Sequence, residues 1–206
     1  MLRLMKKYNF NYHFNANPNT HIIPGTNIFF TGYPGILSSM DDFYVTKGRH
    51  NKLIISGVGI YNPNIELWKY IDVERSTLLA ARIMAANRLA TSGKTHARIM
   101  SRDPHTGIKQ WLLIDLKQLK QFNSFKNDNE IVNNNGNPNI KIKSNEIIDN
   151  DAIIADAKQT NGIIWLTDQL PGRLHSEDIT SDLLSEGFID TNGYPYFQVI
   201  YFNFIY

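Results

Sequence analysis

Thr31-Gly32-Tyr33-Pro34-Gly35-Ile36-Leu37-Ser38-Ser39-Met40-Asp41-Asp42-Phe43-Tyr44 joins a rigid turn, a pair of hydroxyls, two adjacent carboxylates and two aromatics in one short run. Proline fixes its own φ and glycine tolerates φ > 0, so Tyr33-Pro34-Gly35 reads as a tight turn. Asp41-Asp42 sets two like charges beside the apolar pair Phe43-Tyr44. That placement costs free energy unless hydrogen bonds or counter-charges compensate it. Taken alone, these residues describe a surface turn whose aspartates cap the next element.

Outward from this run, Thr26 to Phe30 reads as a short strand entering the turn, and Leu53-Ile54-Ile55 begins a β-branched strand running towards Ile60-Tyr61. Met1 to Tyr8, with Leu2, Leu4, Met5 and Tyr8 between basic residues, is expected to form a short amphipathic helix. Asn64 is placed to cap a helical turn starting at Ile65. A longer helix is expected from Val73 to Ser92: Leu79, Ile83, Ala86 and Ala90 share one face, and Gly93 stands as its C-terminal stop. Gln110 to Leu116 and Gly162 to Leu166 are apolar runs bounded by turn residues, as in strands covered on both faces. Ser176 is expected to cap a helix containing Ile179, Leu183 and Leu184, with Gly187 ending it.

The 206 residues suffice for one domain with a real core, and 42% hydrophobic with 19% charged residues is a globular composition. A net charge of +2 lacks the electrostatic footprint of a general nucleic-acid binder. There is no cysteine, hence no disulfide, thiolate site or cysteine nucleophile within these residues, and the six histidines show no metal-ligand spacing. No cofactor box stands out. No apolar run is long enough to span a bilayer. Met1 to Lys7 is not followed by the apolar core of a signal peptide, and no Asn-x-Ser/Thr acceptor occurs. If this start is the real one, the cytoplasm is the expected compartment. Asn-rich, apolar-poor sequence at 123–159 is expected to be a disordered insertion rather than a domain boundary.

The opening run resembles the S-Y-P-G-x-L-x-S-x-D-D-F-Y segment of the phospholipase B-like, or laminin ancestor, family of N-terminal-nucleophile hydrolases. Further resemblances follow in the same order. Met1-Leu2-Arg3 with Lys6 or Lys7 and Tyr8 is similar to an internal family helix. Ala86-Asn87-Arg88-Leu89-Ala90 and Ser92-Gly93 match A-N-R-L-A-x-S-G, and Thr106, Gln110 and Trp111 match S-G-T-Y-N-N-Q-W. Trp165, Gln169, Pro171, Gly172, Asp178, Thr180, Leu183, Gly187, Pro195, Tyr196, Phe197, Ile200 and Tyr201 match the closing motifs.

The resemblance implies an α+β fold: a partial αββα sandwich of the N-terminal-nucleophile hydrolase type, mostly antiparallel sheets with flanking helices, spanning 1–206 as one incomplete domain. It implies hydrolysis of an acyl ester or amide, with phospholipid or N-acyl amide as substrate, in a lysosome or outside the cell, and with a self-exposed cysteine whose α-amine is the base. Asp41, Asp42, Tyr44, Ser56, Gln110 and Trp111 become the candidate site wall. Departures are as informative. The nucleophile is absent. The family's E-T-T falls near Ser56-Gly57-Val58, and its paired asparagines, which suit oxyanion donors, are Ile108 and Lys109. The expected function is therefore a family hydrolase that is catalytically incomplete in this chain. The alternative is a non-enzymatic remnant that binds lipid, the missing N-terminal portion or another chain.

Overall fold

The computed structural model describes residues 2–102, 105–124, 161–198 and 200. Seven antiparallel strands form one sheet in the order β1-β2-β3-β4-β7-β8-β9: β1 Leu4–Asn9, β2 Asn27–Gly32, β3 Phe43–Lys47, β4 Lys52–Gly59, β7 Lys109–Asp115, β8 Ile164–Leu170 and β9 Arg173–Asp178. β5 Thr77–Leu78 and β6 His105–Thr106 make a separate parallel pair. The helices are α1 Leu79–Leu89, α2 Gly93–Met100, α3 (116–124) and α4 Thr180–Glu186.

Side-chain alternation divides the sheet into two faces. On one face Ile28, Phe30, Tyr44, Leu53, Ile55, Trp111 and Leu113 form the main core with Ile83, Ala86, Ala90 and Met100 of α1 and α2. On the opposite face a second core collects Ile164, Leu166 and Leu170 of β8 under Ile60, Leu67, Ile179, Phe197 and Ile200.

Three local readings are corrected. The N-terminal segment is strand β1, not a helix. Its burial alternates, with Leu4, Lys6 and Tyr8 turned inward, and it pairs residue by residue with β2. So short a helix has little stability of its own. The inward Lys6 is tolerated because its Nζ donates to the Tyr33 carbonyl at 2.7 Å and to that of Ile36, holding the 33–36 turn. The long helix is two. α1 ends at Leu89, and Gly93 opens α2 rather than closing α1. Ser92 and Thr95 form a capping box there, and a Cβ at Gly93 would stand 2.2 Å from the Trp165 ring. Ser176 lies in β9 rather than at a helix cap: Pro171-Gly172 turns the chain between paired Leu170 and Arg173. Of the Asn-rich stretch 123–159, expected to be a disordered insertion, Asn123 and Ser124 are helical and the rest lies outside the described residues.

A buried amide joins the β3–β4 turn to the helices. Asn51 is fully buried, and its Nδ2 donates to the carbonyls of Asn87 (3.2 Å) and Ala90 (2.7 Å) at the end of α1. Its Oδ1 accepts from Thr46. Helix-terminal carbonyls need such partners. Asn51→Ala takes the amide donor from both carbonyls and leaves the Thr46 hydroxyl only the Leu53 carbonyl at 3.5 Å, so a loss of about 2 kcal/mol is expected in urea unfolding, against near-neutrality for exposed Asn9→Ala.

Candidate functional site

The opening run folds as a turn followed by a strand start. Gly35 has φ +82°, and the Ile36 N–H donates to the Tyr33 carbonyl at 3.2 Å, as the Tyr33-Pro34-Gly35 signal requires. Ser39 Oγ accepts from the N–H of Asp41 (3.1 Å) and of Phe43 (3.2 Å), while the Ser39 N–H donates to the Tyr44 hydroxyl at 2.9 Å. The Ser39 hydroxyl is thereby occupied in shaping the turn. Tyr44 belongs to the main core, and burial pushes its phenol up to about 12. Of the aromatic pair, Tyr44 enters the interior; Phe43 points to the other face and is 43% exposed.

The two aspartates separate. Asp41 accepts from Thr31 Oγ1 and pairs with Arg3 at 2.5 Å, and these contacts, Thr31 first, hold its carboxyl below the usual value. Asp42 takes the left-handed backbone at φ +53°, its carbonyl accepting from the Gly57 N–H at 2.8 Å and its carboxylate pairing with Lys109 Nζ. Aspartate is among the few non-glycine residues that visit this region, at a cost of about 1 kcal/mol. The ion pair lies over Gly57 and beside Trp111: a Cβ at Gly57 would stand 2.6 Å from the Trp111 ring and 3.1 Å from Asp42 Cβ. Trp111 Nε1 donates to Gln169 Oε1 at 3.2 Å.

The sheet therefore splits the six candidate residues. Asp42, Tyr44 and Trp111 gather on the helix-covered face with Lys109 and Gln169. Ser56 and Gln110 alternate with Gly57 and Trp111 and lie on the opposite face, and Asp41 stands towards the β1 edge with Arg3. Ser56 is exposed, and its hydroxyl makes no hydrogen bond to another described residue. Gln110 is buried; its Nε2 donates to Asp168 Oδ1 at 2.7 Å and to the Tyr194 carbonyl at 3.1 Å.

Asp168 is the residue that motif spacing missed. It is fully buried and accepts from Gln110 and from the N–H groups of Tyr196 (2.6 Å) and Phe197 (3.0 Å), fastening that segment over the second core. Burial raises its carboxyl above the usual value, against the pull of those donors. An acid in the middle of Ile163-Ile164-Trp165-Leu166-Thr167-Asp168-Gln169-Leu170 was the available signal. Among the described residues no three His, Asp or Glu stand together as metal ligands, and no helix is long and apolar enough to cross a membrane.

A family model described as Phospholipase B matches residues 1–204. The chain belongs to that family. It is 42% identical over 201 residues to the phospholipase B-like lamina ancestor of Drosophila melanogaster, covering 96% of this chain and 30% of the relative. Phospholipase B-like protein C of Dictyostelium discoideum is 29% identical over 205 residues, covering 97% and 28%. Phospholipase B-like 2 of Rattus norvegicus is 26% identical over 202 residues, covering 98% and 28%. The chain thus spans 28–30% of the length of these curated phospholipase B relatives.

Proposed function

We propose that this chain is one part of a phospholipase B-like hydrolase of the N-terminal-nucleophile type, acting on acyl ester or amide bonds in lipids, and that on its own it is catalytically incomplete. Matching across residues 1–204 without a single cysteine is the observation that carries the reading. Supporting it, the hydroxyls nearest the candidate wall are poorly placed as substitutes. Ser39 is committed to its turn, and Ser56 lies exposed with no described base hydrogen-bonded to it. The antiparallel sheet with α1 and α2 packed on one face fits half of an αββα sandwich. On this reading the candidates that share one face, Asp42, Tyr44 and Trp111, wall the site, and a nucleophile comes from elsewhere in the polypeptide. The substrates are phospholipids or N-acyl amides, and the working compartment is a lysosome or the exterior.

The purified chain is expected to hydrolyse glycerophospholipids and N-acyl amides no faster than buffer. Turnover that Ser56→Ala abolishes would overturn the proposal by locating a nucleophile within these residues.

A further inference from the structure

The β3–β4 hairpin ends in a cationic tip. Lys47 and Lys52 stand directly opposite each other across the two strands, Arg49 and His50 lie between them in the turn, and all four residues are exposed. Residues directly opposite in an antiparallel pair point to the same side, and like charges so placed repel. No Asp or Glu occurs from Phe43 to Ile65, and none of Lys47, Arg49 and Lys52 forms an ion pair among the described residues. Lys117 of α3 adds charge beneath the turn, its Nζ donating to the carbonyls of His50 (2.8 Å) and Thr91 (3.0 Å). Asp115, two residues before it, is buried and accepts from the Lys117 N–H at 2.9 Å. The backbone of the tip is fixed. The Gly48 N–H donates to the Asn51 carbonyl at 2.7 Å, Asn51 is tied to the end of α1, and a Cβ at Gly48 would stand 1.7 Å from the Pro24 carbonyl oxygen. The net charge of the chain is only +2, so these cations are a local concentration and not a general basicity.

We infer that the tip of the β3–β4 hairpin is an electrostatic contact for a membrane surface bearing anionic phospholipids. The choice of a lipid surface over an acidic protein rests on the lipid-directed function proposed above, and deepens it by naming a face that meets lipid. Charge complementarity is the first argument: each Lys or Arg close to an anionic leaflet strengthens binding about fivefold. Shape is the second. A hairpin end presents its cations outward to a broad surface, where a converging site would aim them at one ligand. The third is the repulsion between Lys47 and Lys52, which costs the hairpin stability and is relieved when phosphate groups meet both.

Co-sedimentation with vesicles tests the contact. The chain is expected to bind phosphatidylcholine vesicles containing about 30% phosphatidylglycerol at about 50 mM salt and to be released at about 500 mM, where screening shortens the reach of the charges. Lys47→Gln/Arg49→Gln/Lys52→Gln is expected to lower the partition coefficient about 100-fold. Its melting temperature should stay at or above that of wild type, because the change removes a repulsion. Lys69→Gln/Arg75→Gln/Arg98→Gln alters the net charge equally on other elements and is expected to bind as wild type does. An equal loss in that control would assign the effect to net charge and overturn the inference. Equal binding to pure phosphatidylcholine vesicles would overturn it too, since the contact would then be apolar. Retention on immobilised polyglutamate without binding to either vesicle would make the partner an acidic polypeptide instead. A lower melting temperature in the first variant would show that its cations are already paired within the fold, which also sinks the idea. No arm reads hydrolysis. A chain that ignores anionic vesicles would defeat this inference and leave the hydrolase reading standing, whereas turnover abolished by Ser56→Ala would defeat the claim of catalytic incompleteness and leave this one standing.

Discussion

Lowering the pH from 7 to 4 is expected to cost the fold about 3 kcal/mol through one side chain, His96. His96 lies fully buried in α2, its Nε2 2.9 Å from Asn87 Oδ1 in α1, and burial pulls its pKa down from 6.5 to about 3. With no carboxylate among the described residues to offset the desolvation, the folded state keeps the ring neutral, with Nε2–H as donor to Asn87. The unfolded chain takes up a proton below pH 6.5. The contribution is therefore fully present above 6.5 and is lost progressively as pH falls towards 3. Asp168 acts in the opposite sense. Its raised carboxyl favours the folded state as pH falls through its folded value, because protonation relieves a buried charge. Comparison with His96→Gln isolates the histidine, since Asp168 is common to both proteins and glutamine keeps a donor towards Asn87. Urea midpoints across this range should fall steeply for wild type and much less for the variant. Parallel pH profiles would mean that His96 titrates normally in the fold.

Trp111→Ala is expected to cost about 3–5 kcal/mol, since truncating a fully buried tryptophan leaves a cavity. The same ring explains why position 57 is glycine, so the two sites should couple. Gly57→Ala alone forces the ring to move, because the new methyl would stand 2.6 Å from it. In the Trp111→Ala background that methyl enters vacated space. A double-mutant cycle should return a coupling of at least 1 kcal/mol, with the second substitution nearly harmless or stabilising. Additive effects would show that the strand tolerates the methyl by shifting away. Trp111→Phe separates packing from polarity: it keeps most of the ring but leaves Gln169 Oε1 without the indole donor.

Much of the architecture could be read from local pattern. The apolar runs in β7 and β8 are long and bounded by turns. Ile83 and Ala86 were correctly expected on the inner face of α1 because 3.6-residue spacing dictates it, and Ala90 is buried just past the helix end. β1 was misread because Lys6 and Lys7 obscure a period of two; only a carbonyl cradle formed by the 33–36 turn makes an inward lysine acceptable. The Pro171-Gly172 turn was present as a hairpin signal and was overlooked in favour of Ser176 as a cap. For the candidate site, motif order located the residues but not their side of the sheet. Gln110 and Trp111 are neighbours in sequence and face opposite layers, a consequence of strand parity that a string of matched letters does not convey. Lys109 stands where the family has an amide, yet it gives Asp42 a counter-charge.

The pairing of Asp42 with Lys109 also says something about the order in which the molecule assembles. β1 to β4 follow one another as nearest neighbours, so their pairing is more local in sequence than that of β7 on β4. Asp42 and Lys109 are 67 positions apart and meet only when β7 docks on β4, after both intervening helices have been accommodated. The left-handed kink at Asp42 is therefore expected to be held first inside the meander, by the Gly57 N–H on its carbonyl, and to gain its counter-charge only where β7 joins.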